Sequence, residues 1–124
     1  LGKACDNFSD WSIVQKNIKN FEDALQKKFT VKIAGLNAPR IPNTVSVMFK
    51  DQNKDLLLTG LDFKGIAASA GSACKASLSM PSHVLKAMGY DKQELKSILR
   101  FSFGPDTTSA DFDYIISSLE ELIK

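Results

Sequence analysis

Two side chains in this sequence offer chemistry that packing does not require, the thiol of Cys74 and the guanidinium of Arg100. Cys74 stands in the run Ala67-Ala68-Ser69-Ala70-Gly71-Ser72-Ala73-Cys74-Lys75-Ala76-Ser77, where nearly every neighbour is small. Such residues have little apolar area to bury, whereas one buried Leu or Phe contributes about 1.5–3 kcal/mol. A packed core therefore does not account for the run. Small side chains suit a backbone that turns tightly, moves or approaches a ligand closely, and Gly71 can take the positive φ that a tight turn asks for. A thiol becomes a working nucleophile when it is exposed and its pKa is lowered, which Lys75 beside it and a short helix opening near Pro81 could provide. Arg100 lies in Leu99-Arg100-Phe101-Ser102-Phe103, between apolar neighbours on a strand, so its planar fork either faces water or pairs with an anion. His83, in a Pro-Ser-His-Val turn, reads as a solvated or capping residue with no catalytic role, and Cys5 as an ordinary helix-start residue.

The elements that must position these residues follow from periodicity. Phe8, Trp11, Val14, Ile18, Phe21, Leu25 and Phe29 recur at gaps of three and four, with polar residues between them, which predicts one long amphipathic helix. Val31–Ile33 and Thr44–Phe49 alternate and are rich in β-branched residues, so they read as two strands around a Gly- and Pro-punctuated loop. Asn43 after Pro42 opens a strand or turn. Leu56, Leu57, Leu58 and Leu61 suit a short helix ending near Gly65. Ile66–Ser69 reads as a strand leading into the small-residue run. Pro81 suits the first position of a helix through Val84, Leu85 and Met88, with Ser79 or Met80 just outside it and Gly89 closing it. Ile98–Phe103 is another strand. Thr108-Ser109-Ala110-Asp111 resembles a capping box ahead of a closing helix whose face carries Phe112, Ile115, Ile116, Leu119, Leu122 and Ile123.

That order predicts a single α+β domain over residues 1–124. It has two layers: a mostly antiparallel sheet of about four short strands, and helices packed on one face, with long helices at both ends. Composition narrows the function. At 124 residues the chain can bury enough surface to fold without disulfides. Two distant cysteines and one histidine make a poor metal set. A net charge of +2, with lysines mixed among acids, lacks the footprint of nucleic-acid binding. No apolar run is long enough to span a membrane, and nothing resembles an export signal, so a reduced, cytoplasmic setting with both thiols free is expected. The chain starts at Leu1, not Met, from which further residues upstream are expected.

Taken together, Ser69-Ala70-Gly71-Ser72-Ala73-Cys74, then Pro81-Ser82-His83-Val84-Leu85, then Leu99-Arg100-Phe101-Ser102-Phe103-Gly104 with Thr107-Thr108, resemble the carboxy-terminal small domain of cysteine desulfurases. These belong to the class V aminotransferase-like enzymes that use pyridoxal phosphate. The resemblance implies that Cys74 is the nucleophile whose thiolate takes sulfur from an L-cysteine substrate held on the cofactor, releasing L-alanine and leaving a persulfide. It implies that Arg100 binds the substrate carboxylate through two parallel hydrogen bonds. It further implies a sulfur-acceptor protein, such as an iron–sulfur scaffold, as partner, and a homodimeric full-length enzyme.

Other parts of the family pattern are missing from the chain. The Schiff-base lysine directly follows a histidine in the family, whereas here the one histidine is followed by Val84. Neither an acidic partner for the pyridinium nitrogen nor a phosphate cup is recognisable, so pyridoxal phosphate is expected in the full-length enzyme and not on this fragment, which should be inactive alone. Ala70, Lys75 and Pro105 depart from the residues usual at their positions in the family, but Cys74 and Arg100 themselves do not. A second reading, a stand-alone persulfide carrier without cofactor, leaves Arg100 little to do. A third, a class V relative acting on another substrate, leaves Cys74 without a purpose.

Overall fold

The computed structural model describes residues 11–70 and 82–123. The first apolar stripe folds as helix α1, Ser12–Lys28, which buries Val14, Ile18, Phe21 and Leu25 on one side. Trp11, expected inside the helix, is its N-cap, and Phe29 at the other end is already extended. Phe8 and Cys5 lie outside the described residues.

Three strands form among the described residues: β1 Val31–Ile33, β2 Thr44–Phe49 and β3 Ile98–Ser102. They make one antiparallel sheet in the order β1-β2-β3, with Val31 opposite Phe49, Val45 opposite Phe101 and Val47 opposite Leu99. Successive side chains on a strand point to opposite faces. The register therefore gathers Ile33, Val45, Val47, Phe49, Leu99 and Phe101 on one face, all of them buried.

The expected strand at Ile66–Ser69 shrinks to one bridge, Ser69 opposite Arg100. The end of helix α2, Lys54–Phe63, explains this. Gly65 takes φ +74, its N–H donates to Asp62 O, and the Ile66 N–H donates back to Leu61 O at 2.9 Å. That is a Schellman closure, so Ile66 still belongs to the end of the helix, and the pairing recorded with β3 comes only at Ser69. At the other end of α2, Asn53 caps the helix by accepting from Asp55 N at 2.8 Å and Leu56 N at 3.3 Å.

Helices α1, α2 and the closing helix cover the apolar face of the sheet. Phe21 sits at their junction, with ring centroids 5.9 Å from Phe101, 5.6 Å from Phe103 and 5.4 Å from Phe112. The closing helix, Ser109–Leu122, is the last of the four among the described residues and is designated α4. It begins as the sequence predicts, with Thr108 and Asp111 exchanging both bonds of a capping box. Glu22, buried on α1, receives a two-pronged ion pair from Arg40 at 2.6 and 3.1 Å, which pins the β1–β2 loop to the helix.

The sheet's other face is not bare. Helix α3, His83–Ala87, and a 3-10 turn, Glu94–Lys96, bring Leu85, Tyr90 and Leu95 against Met48 and Ile98. The helices are thus not all on one side: Met48 and Ile98 are apolar at positions that point away from the main core, and α3 covers them. The turn is held in place by Lys32, whose ammonium lies 4.4 Å from the centroid of the Tyr90 ring and 3.4 Å from Glu94. Ser82 caps α3, so the helix starts two residues after the expected position at Pro81, which lies outside the described residues. Gly89, just beyond the C-cap Met88, takes φ +91.

Candidate functional site

The remaining part of that face carries Thr44, Ser46, Arg100 and Ser102, with Arg100 and Ser102 exposed. Both neighbours of Arg100 can be read from its backbone bonds. The Ser69 N–H donates to Arg100 O at 3.0 Å and the Arg100 N–H donates to Ser69 O at 2.7 Å. An antiparallel residue spends both backbone groups on the same neighbour. On the β2 side Arg100 therefore faces Ser46 as a non-hydrogen-bonded pair, the type in which Cα atoms approach to about 4.5 Å and side chains lie closest. The next such pair along, Thr44 and Ser102, brings its hydroxyls to 3.4 Å. Arg100 thus stands in a lateral row, Ser46-Arg100-Ser69, on a stretch of sheet that no described helix covers.

Its charge has no partner in that row. The ion pairs among the described residues are Glu22–Arg40, Glu94–Lys32, Glu120–Lys28 and Glu121–Lys64, and none includes Arg100. A guanidinium that is exposed, planar and free of internal carboxylates can receive a carboxylate from outside through two parallel bonds. Register keeps it there, because a slip of one residue would turn Arg100 into the core. Asn43 locks the end of that ladder: its side chain donates to Phe103 O at 3.2 Å and its carbonyl accepts from Phe103 N at 2.9 Å.

Cys74 and Lys75 lie outside the described residues, as does most of the small-residue run. The start of that run is described. Ser69 bridges to Arg100, Ala70 packs against the main core, and Lys54 at the start of α2 reaches the Ala70 carbonyl at 3.5 Å. His83 is the first residue of α3 and is exposed, in keeping with the solvated role expected of it. Lys54 and Ser46 were not legible as site residues in the sequence, since both read there as ordinary polar positions. A cavity of about 270 Å³ between α1 and α4, lined in part by Asn17, Asn20, Ser109 and Asp113, lies on the opposite side of the sheet from Arg100.

Residues 6–115 match the model of the class-V aminotransferase family. The chain belongs to that family. This class-V aminotransferase chain is 35% identical over 114 residues to a cysteine desulfurase of Nostoc sp., an overlap covering 88% of this chain and 28% of that protein. It is 38% identical over 94 residues to the cysteine desulfurase IscS of Clostridium botulinum, covering 72% of this chain and 24% of the relative. Among solved structures, a NifS-like protein from Rickettsia africae superposes with a TM-score of 0.80 at 31% identity, over 94% of this chain and 30% of the other. SspA in complex with cysteine superposes with a TM-score of 0.55 at 28% identity, over 86% of this chain and 29% of the other. The chain spans less than a third of the length of these relatives.

Family membership implies pyridoxal phosphate in full-length members. The described residues do not fit a cradle for it. Their buried polar side chains are Glu22, Ser97 and Ser118, and no buried lysine among them could form an imine. What the class-V chain does present is an exposed arginine, in no ion pair with a described residue, bridged to Ser69 at the start of the small-residue run.

Proposed function

We propose that this chain is the carboxy-terminal small domain of a cysteine desulfurase, in which Arg100 binds the carboxylate of L-cysteine and Cys74 accepts its sulfur. The observation that carries this reading is the pairing of Ser69 with Arg100, since it roots the Cys74 segment beside an exposed guanidinium that has no partner among the described residues. Cys74 lies five positions beyond Ser69, a length of chain that reaches at most about 18 Å. A nucleophile on so short a tether from the carboxylate clamp can meet the sulfur of a small amino acid held there.

In this reading the thiolate of Cys74 attacks the substrate sulfur and a sulfur–sulfur bond forms. The carbon–sulfur bond breaks with its electron pair going to the substrate carbon, which takes up a proton to become the methyl group of alanine. Pyridoxal phosphate, held by the part of the enzyme outside this chain, supplies the electron sink that makes the bond breakable. The persulfide on Cys74 is then passed to an acceptor protein, for which an iron–sulfur scaffold is the kind of partner expected. Arg100 supports the enzyme over a simple sulfur relay, because a carboxylate clamp has no task in a relay.

The test is made in the complete enzyme. Cys74→Ala should leave L-cysteine binding intact while alanine release and protein-bound persulfide fall to background, and Cys5→Ala should change neither. Normal alanine release from the Cys74→Ala enzyme would sink the nucleophile assignment. Arg100→Ala should raise the KM for L-cysteine by an amount equivalent to about 2–4 kcal/mol, the cost of losing a paired charge-assisted contact.

A further inference from the structure

We infer that Ser46 is a second contact for the carboxylate that Arg100 binds; this rests on the carboxylate reading of Arg100 given above. A carboxylate offers about four lone-pair sites and a guanidinium fork occupies two of them, so a neighbouring donor can take a third. Ser46 is placed to be that donor. It lies directly across from Arg100 on the same face of the sheet, in the pair type that brings side chains closest. Its position between the buried Val45 and Val47 turns it away from the core. Its hydroxyl makes no hydrogen bond to a described residue, whereas the hydroxyl of Thr44, two positions earlier on the same face, is engaged with Asn43 and Ser102.

Its size matters as well as its hydroxyl. Serine is short enough to leave the guanidinium room to lie across the strand, and a ligand bridging the row would touch Arg100 and Ser46 together. Both lie on strands whose opposite faces are packed in the core at Val45, Val47, Leu99 and Phe101, so the two donors are held rigidly relative to one another. Ser46 therefore binds substrate in the ground state and in the reaction alike, which affects KM and leaves kcat alone.

The experiment compares Ser46→Ala, Ser46→Thr and Ser46→Val in the complete enzyme, with Arg100→Ala alongside. Thr and Val have nearly the same shape and both suit a strand, so they differ here in the hydroxyl alone. The Ala and Val variants should raise the KM for L-cysteine about ten- to a hundredfold with kcat within twofold, as expected for one lost bond to a charged group, and Thr should stay near the parent. The dissociation constant of 3-mercaptopropionate, which keeps the carboxylate and thiol but has no amino group, should move by the same factors in calorimetry. If Arg100→Ala weakens both and the three Ser46 variants leave both unchanged, or if Ser46→Val matches Ser46→Thr, Ser46 is not a carboxylate contact. If Arg100→Ala leaves KM and the dissociation constant unchanged, the carboxylate reading of Arg100 itself fails, and the role of Ser46 with it.

Discussion

The two faces of this sheet are made by alternate residues of the same strands, and they answer to different demands. On β3, Leu99 and Phe101 are at most 1% exposed and pack beneath α1, α2 and α4, while Arg100 and Ser102 between them face water. On β2, Val45, Val47 and Phe49 belong to the core, while Thr44 and Ser46 share the open face with Arg100. The covered face supplies the burial that holds the strands in register. That register, in turn, aims the polar face. Core and polar face are thus divided within strands of six and five residues, so adjacent substitutions should have opposite signatures.

The largest effect belongs to the covered face. Phe101→Ala removes a fully buried ring from the contact with Phe21 and opens a cavity under the sheet, which should cost about 3–5 kcal/mol in chemical denaturation of this chain. A loss below about 1 kcal/mol would mean that the aromatic junction is not what holds the layers together.

Next come the two arginines, which sharpen the comparison because one substitution has two meanings. Arg40 is committed internally, and the bond it donates to the Glu22 carboxylate raises its pKa further above the usual guanidinium value. Arg40→Ala leaves the Glu22 carboxylate buried without its partner and should cost on the order of 2 kcal/mol, somewhat less than a fully buried pair because the Arg40 side chain is 26% exposed. Replacing Glu22 by Gln at the same time should recover much of that loss, and its failure to do so would show that Arg40 works through packing of its stem.

Much of this division could be read from the sequence, and what could not has identifiable physical reasons. The alternation of Val45, Val47 and Phe49 and the Thr108–Asp111 capping box are local patterns, and both fold as predicted. The Glu22–Arg40 pair joins residues eighteen apart through a loop with no periodicity, so nothing local announces it. The sequence over Ile66–Ser69 is strand-like, but the Schellman closure of α2 extends to Ile66 and leaves a single bridge at Ser69. α3 was expected beside the other helices, but the outward Met48 and Ile98 had no visible partner until the fold brought Tyr90 and Leu95 over them. At the site, Arg100 was legible from its strand, whereas Ser46 became visible only once the register placed it opposite.

A pH scan distinguishes the covered part of the outer face from the open part. Burial is the main cause pushing the Tyr90 phenol above its ordinary value of 10.0, with Lys32 opposing it and Glu94 adding to it. The unfolded chain therefore loses this proton first. Stability carried by the neutral phenol is complete below about pH 10 and is lost as pH rises toward the folded-state value. The alkaline slope in a denaturation series should vanish in Tyr90→Phe. A slope that persists unchanged would assign it to other groups and leave α3 held by its aliphatic contacts alone.

The smallest expected effect on stability is at Arg100. Its side chain is exposed, makes no ion pair with a described residue and lies on a face whose packing it does not share, so Arg100→Ala should change the folding free energy of this chain by no more than about 0.5 kcal/mol. The backbone bonds to Ser69 do not depend on the side chain and should survive, which amide hydrogen exchange at Ser69 and Arg100 can check. The contrast with Leu99 and Phe101 on either side is what gives the measurement its force. A guanidinium kept on a strand without contributing to the fold is available for a ligand. If Arg100→Ala instead lowered stability by several kcal/mol, with faster exchange at Ser69, the side chain would be holding the sheet edge, and the open face would be structural after all.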